Sequence, residues 1–208
     1  MIDGLIKHIL DPLWEKASTP LVRAGLTPNQ VTLTGLALII AGSGLYLWHR
    51  LDLVFGLWLA VSYAFDALDG AVARRRDMRS KAGGYLDAMV DRYQELIVLG
   101  AIAWVHDLWP LALLTFAGSV ITSYAKARTA LEADVSNDGW PELFERLERI
   151  IYTCVLLVAA GLVPEGWVAS VMVWGMALFA ALTNLTALQR GVRAFGLLAQ
   201  IDREGGAE

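Results

Sequence analysis

Charge is scarce in this sequence. Asp, Glu, Lys and Arg make up 18% of its 208 residues, against 56% hydrophobic ones, whereas soluble globular domains carry about 25% charged residues. The shortage excludes an ordinary soluble domain and points to a membrane protein. Cysteine is scarcer still. Cys154 stands alone in an apolar run, so no intrachain disulfide can form, and the redox compartment stays open. No repeat or low-complexity segment is present, and no stretch between the apolar runs is long enough for a soluble domain. The first 25 residues are amphipathic, unlike a short basic stretch followed by a pure apolar core, so no cleavable signal peptide is expected. Basic residues are spread over loops and turns. Nucleic acid is therefore not an expected partner.

What the sequence does have is six apolar runs, at 31–48, 53–73, 86–105, 108–125, 149–163 and 167–189. A bilayer core about 30 Å thick takes about 20 residues of helix. The expectation is an all-α membrane protein with six transmembrane helices, in a single domain over residues 1–208. With the N-terminus on the cytoplasmic side, all of the 17 basic residues except Arg50 fall in inside regions. That partition predicts a multi-pass protein of the cytoplasmic membrane with both termini inside. In residues 1–24, Ile2, Leu5, Ile6, Ile9, Leu10, Leu13 and Trp14 recur at helical spacing. They predict an N-terminal amphipathic helix, lying either on the inner leaflet or on the bundle. "LTPNQVT" then turns into the first span, with Thr27 or Asn29 able to cap it.

Against this oily background, "FDALDGAVARRRDMRSKAGGYLDAMVDRYQE" (65–95) places four aspartates at the ends of two apolar runs. Asp66 and Asp69 are three apart, and Asp87 and Asp91 four apart, so each pair shares a helix face. If the two helices lie side by side, all four carboxylates converge near one membrane surface. Carboxylates crowded at membrane depth need neutralising. Hard oxygen ligands of this kind suit Mg²⁺ or Mn²⁺, and four can hold two ions. Two such ions typically clamp the oxygens of a displacement at phosphorus. Gly70 and Gly83 leave the backbone open to a ligand, Ala73 keeps the wall low, and Arg74 can hold a phosphate. Arg75 and Arg76, taken singly, read as topogenic charges. The chemistry predicted from these residues is phosphoryl transfer at the inner membrane face. A reading from another class is a cation transporter, although transporters place their acids nearer the bilayer midplane.

The fixed positions Asp69, Gly70, Ala73, Arg74, Gly83, Asp87 and Asp91 follow D-G-x2-A-R-x8-G-x3-D-x3-D throughout, with Asp66 three residues earlier. The pattern resembles the signature of the CDP-alcohol phosphotransferase family. The resemblance implies a divalent-metal transferase that moves the phosphatidyl group from CDP-diacylglycerol to an alcohol and releases CMP. It implies metal ligation by Asp66, Asp69 and Asp87, and a role for Asp91 as ligand, general base for the acceptor hydroxyl, or both. Gly70, Ala73, Arg74 and Gly83 would line the nucleotide pocket, with Asn29, Thr32 and Arg79 assisting. It also implies a homodimer in the membrane, and small residues such as Gly100, Ala101, Ala103 and Gly118 would permit close helix contact.

"SYAKARTALE" (123–132), "ERLERI" (145–150) and "QR" (189–190) together resemble the branch that makes phosphatidylinositol phosphate. On that resemblance Lys126, Arg146, Arg149 and Arg190, with Arg128 nearby, would grip the phosphate of inositol phosphate. Glu145 and Glu148 could pair with the neighbouring arginines. Glu132 departs from the branch, which places a Glu sooner after "KAR". Glycerol 3-phosphate, giving phosphatidylglycerol phosphate, is the alternative acceptor.

Overall fold

The computed structural model describes residues 13–133 and 143–205, and all regular structure among them is helical. After a helical segment at 13–17, the elements are α1 (Thr19–Arg23), α2 (Pro28–His49), α3 (Asp52–Asp66) and α4 (Leu68–Arg75). They continue with α5 (Lys81–His106), α6 (Trp109–Thr129), α7 (Arg146–Leu162) and α8 (Glu165–Gly205). Among the described residues three stretches are long and apolar enough to cross a membrane: Pro28–His49, Asp52–Arg75 and Glu165–Glu204. The second comprises α3 and α4, which part only at Ala67. There the Ala67 N–H still bonds to the Tyr63 carbonyl (3.1 Å), so the chain keeps its direction.

Local chemistry sets the boundaries. Thr27 starts α2 with a reciprocal cap: its hydroxyl accepts from the Gln30 N–H (3.3 Å), and its own N–H donates to Gln30 Oε1 (2.9 Å). Thr27, not Asn29, is therefore the cap, and Asn29 lies in the first turn of α2. Ser80 starts α5 in the same way by accepting from the Gly83 N–H (3.0 Å). The sequence reading placed the last apolar run at 167–189, but α8 runs unbroken to Gly205, because no Pro or Gly-rich break follows Arg190 until the terminus.

Helix α2 packs against both α3 and α5, α3 packs on α7, and α6 runs along α8. The aspartate-bearing helices thus meet through α2 and do not simply lie flank to flank. Gly118 makes the α6–α8 contact possible, since a Cβ there would come within 2.8 Å of the Thr183–Asn184 backbone. That glycine, read in the sequence as suited to contact between subunits, is used inside the chain. A second, smaller core forms where Trp14, Leu21, Val22 and Leu26 pack on Val31, Leu68 and Val72. Of the N-terminal apolar stripe, Trp14 therefore rests on the bundle and Leu13 is exposed. Ile2, Leu5, Ile6, Ile9 and Leu10 lie outside the described residues.

Arg75 and Arg76 fix the same segment in place. Arg75 donates to the Glu15 carbonyl (2.7 Å), the Ser18 hydroxyl (3.2 Å) and the Thr19 hydroxyl (2.8 Å). Arg76 donates to the carbonyls of Gly25 (2.7 Å) and Leu26 (2.6 Å). Residues that read as topogenic charges thus tie the chain before α2 to the end of α4. Neither guanidinium is a simple solvated charge.

Candidate active site

The four aspartates come together. Oxygens of Asp66, Asp87 and Asp91 lie within 4.8 Å of one another. Asp69 accepts a 2.6 Å hydrogen bond from Thr32 on α2, and the Asp87 carboxyl interacts with it. Thr32 also donates to the Pro28 carbonyl (3.1 Å), so the first turn of α2 fixes the direction in which Asp69 points. Asp66 and Asp91 are buried, and Asp69 and Asp87 are half-buried.

Close packing gives this cluster one of its walls. A Cβ at Gly35 would lie 2.5 Å from Asp66 Oδ1, so only glycine lets α2 pass this near the carboxylate. Gly83 stands beside Asn29, whose Oδ1 would be 3.3 Å from an added Cβ. Gly70 lies next to Arg74, with Nη1 3.7 Å from its would-be Cβ. Arg74 and Arg79 are exposed and Ala73 is half-buried, on the helix end and loop that follow Asp69.

Guanidinium groups enter from the far side. Arg146, at the start of α7, reaches Asp66 Oδ2 (3.1 Å) and Asp91 Oδ1 (2.5 Å) through one nitrogen. Arg92 lies 3.8 Å from Asp91 and 3.2 Å from Glu95, and donates to Ser123 (2.6 Å). Arg149 donates to Glu95 (2.8 Å) and to the Phe144 carbonyl (3.3 Å). Among the described residues these three guanidiniums thus reach Asp66, Asp91 and Glu95. The hard oxygens that Asp66, Asp87 and Asp91 present at one spot fit a divalent cation of the Mg²⁺ or Mn²⁺ kind.

The carboxylate cluster and its spacing agree with a comparison of the whole chain. The CDP-alcohol phosphatidyltransferase family matches residues 25–183. The chain belongs to that family. The transferase is similar to the archaetidylinositol phosphate synthase of Pyrococcus horikoshii, at 36% identity over 73% of this chain and 79% of the relative. It is also similar to the phosphatidylinositol phosphate synthase of Corynebacterium glutamicum, at 32% identity over 86% of this chain and 83% of the relative. Among solved structures, it superposes on the phosphatidylinositol phosphate synthase of Mycobacterium tuberculosis with CDP-DAG bound. The TM-score is 0.75 at 28% identity, covering 88% of this chain and 94% of that one. The same Mycobacterium tuberculosis enzyme has been solved in complex with manganese and citrate. Membership of this family removes the cation-transporter reading.

The five basic residues expected around an acceptor do not share one environment in the transferase. Lys126 is half-buried at the end of α6, close enough to Arg190 and Glu145 to feel their charges. Arg190 is buried and donates to the Thr122 carbonyl (2.8 Å). Arg146 lies on the aspartates, and Arg149 is buried against Glu95, so these two arginines find their close partners on α3 and α5. Arg128 is exposed and pairs with Glu132 (2.7 Å).

Gly35 and Gln94 escaped the sequence reading. Gln94 is fully buried, lying three residues after Asp91 and seven after Asp87. A polar residue continuing the aspartate face into an apolar run was the available signal. Gly35, in "LTGLAL", carried none, because its importance lies in what approaches it from another helix.

Proposed function

We propose that this transferase moves the phosphatidyl group, or an ether-lipid equivalent, from a CDP-activated lipid to inositol phosphate and releases CMP. The observation that carries the reading is the convergence of Asp66, Asp87 and Asp91, joined by Asp69 through its interaction with Asp87. Support for the acceptor comes from relatives named as synthases of inositol phosphate lipids, and from Lys126, Arg146 and Arg190 at the same end of the helices. Asp66, Asp69, Asp87 and Asp91 would hold one or two Mg²⁺ or Mn²⁺ ions, which when bound neutralise the diphosphate and polarise its P–O bonds.

The chain's own groups do the rest. Asn29, Gly70, Ala73, Arg74, Arg79 and Gly83 line the approach for the cytidine diphosphate, where small residues leave backbone accessible and arginine forks bind phosphate oxygens. Asp91 takes the proton from the acceptor hydroxyl. The acceptor oxygen then bonds to the lipid-bearing phosphorus, and the bond from that phosphorus to the CMP oxygen breaks. Lys126, Arg146 and Arg190 hold the acceptor's phosphate.

The same reading places six membrane spans in one module, adding α5, α6 and α7 to the three long apolar stretches. It puts both termini and the site on the cytoplasmic side, because basic residues gather at that end. It takes the enzyme to be a homodimer, with the open surface at Gly100 available for helix contact. The test is CMP release from CDP-diacylglycerol by purified protein with Mg²⁺ or Mn²⁺, across inositol 1-phosphate, glycerol 3-phosphate, inositol, serine and no acceptor. Metal-dependent release with inositol 1-phosphate is expected. Release with glycerol 3-phosphate alone would overturn the acceptor and keep the chemistry. Release with a neutral alcohol alone would overturn the basic pocket.

A further inference from the structure

We infer that Gln94 is a positioning residue that holds the metal-ligating carboxylate of Asp66 and the acceptor-side guanidinium of Arg146 in one fixed arrangement. The inference rests on the function proposed above. It starts from an unusual location: Gln94, a neutral amide, is fully buried in α5. A buried amide must have both ends satisfied or it costs stability. Its two ends are satisfied by the two groups the reaction needs. Gln94 Nε2 donates to Asp66 Oδ1 (3.1 Å), and Gln94 Oε1 accepts from Arg146 Nη2 (3.0 Å).

The orientation of the amide is dictated by its partners. An ionised carboxylate only accepts and a guanidinium only donates, so the nitrogen must face Asp66 and the oxygen must face Arg146. The same Arg146 nitrogen also donates to Asp66 Oδ2 (3.1 Å). Asp66, Gln94 and Arg146 thus close a triangle drawn from α3, α5 and α7. On its other side Asp66 Oδ1 occupies the space that a Cβ at Gly35 would fill, so the glycine lets the carboxylate stand against α2. Each helix contributes one vertex, so a shift of α7 at the acceptor end is felt at a metal ligand. Glutamine suits this position because a glutamate would face Asp66 with a like charge, and an apolar residue would satisfy neither partner.

Hydrogen-bond partners of metal ligands typically matter by 10–100-fold in metal affinity. The test is therefore made with full-length purified protein and two readouts. Binding of Mn²⁺ alone is measured from the electron paramagnetic resonance signal of the free ion. The KM values for CDP-diacylglycerol and for the phosphorylated acceptor are measured separately. Q94M keeps the length of the side chain and loses both hydrogen bonds. It is expected to weaken Mn²⁺ binding by about tenfold or more and, at saturating Mn²⁺, to raise the acceptor KM while the donor KM stays within about twofold of wild type.

A purely structural role would lower the melting temperature and leave both of those quantities unchanged, and that result would overturn the inference. Q94N retains the amide but is one methylene too short to span the two partners, so it provides a second variant with the same expectation. If neither variant folds, Gln94 belongs to the fold and not to the site, and the inference also falls. The Mn²⁺ measurement needs no turnover. A wild type that binds Mn²⁺ but releases no CMP would sink the proposed activity while leaving this test readable.

Discussion

The two ends of the same three helices carry polar clusters of opposite kinds. At one end, α3 and α5 bring together Asp66, Asp87 and Asp91, with Arg146 reaching two of them, and Thr32 on α2 holds Asp69 beside them. At the other, Tyr46, Asp52 and His106 close on one another. The Tyr46 hydroxyl donates to Asp52, His106 Nε2 lies 2.9 Å from the same oxygen, and Tyr46 and His106 are 3.0 Å apart. Asp52 sits at the first residue of α3 and Asp66 at its last, about 20 Å apart at 1.5 Å per residue. The closed cluster needs nothing from outside and ties three helix ends together. The open cluster gathers three carboxylates within 4.8 Å of one another, as a cation site must. Burial of polar groups alone does not separate a site from a strut; the balance of partners does.

The strongest way to break this contrast is at Asp91. Asp91→Asn keeps the shape of the side chain and removes the base and one negative charge. Turnover is expected to fall by about 10²–10⁴-fold, with the melting temperature unchanged or raised, because one of three crowded carboxylates has been neutralised. CMP release and thermal unfolding of the same preparation check both halves. Wild-type turnover with metal bound normally would take Asp91 out of the catalytic set.

Asp52→Asn probes the closed end and should do the reverse. The loss of a charge-assisted hydrogen bond in a buried cluster is expected to cost about 1–3 kcal/mol of stability, seen as a lower melting temperature in detergent. CMP release at a temperature where both proteins are folded should match wild type. A tenfold loss of activity without a change in melting temperature would mean that the far end communicates with the chemistry, and the division between strut and site would fail.

The sequence carried the carboxylate cluster almost whole, because helical spacing converts directly into a shared face: Asp66 with Asp69, and Asp87 with Asp91. It also carried the apolar runs that became α2, α3 with α4, and α5 to α8. What it did not carry depends on which helix stands beside which. Thr32 looked like a nucleotide contact and is bonded to Asp69. Arg149 looked like an acceptor ligand and is buried on Glu95. Arg75 and Arg76 looked like topogenic charges and hold the segment before α2. Gly35 matters only because Asp66 arrives against it from another helix. A long polar side chain can reach several neighbours, and one-dimensional spacing does not say which.

Arginines at the open end allow the smallest and most discriminating test. Lys126, Arg128, Arg146, Arg149 and Arg190 occupy one end of the bundle in the sequence pattern, yet their surroundings differ. Arg128 is exposed and engaged by Glu132 one turn away, a solvent-screened pair of the kind that contributes little. Lys126 is half-buried and within charge range of Arg190 and Glu145, where a phosphate would meet an ammonium partly withdrawn from water. Lys126→Ala is therefore expected to raise the acceptor KM about tenfold, the size of one charge-assisted hydrogen bond. Arg128→Ala should leave the acceptor KM within about twofold of wild type, with unchanged kcat and melting temperature. Equal effects of the two substitutions would show that the acceptor's phosphate is held by the summed positive charge of this end. An effect confined to Lys126 would show that individual geometry, and not the count of basic residues, makes the acceptor pocket.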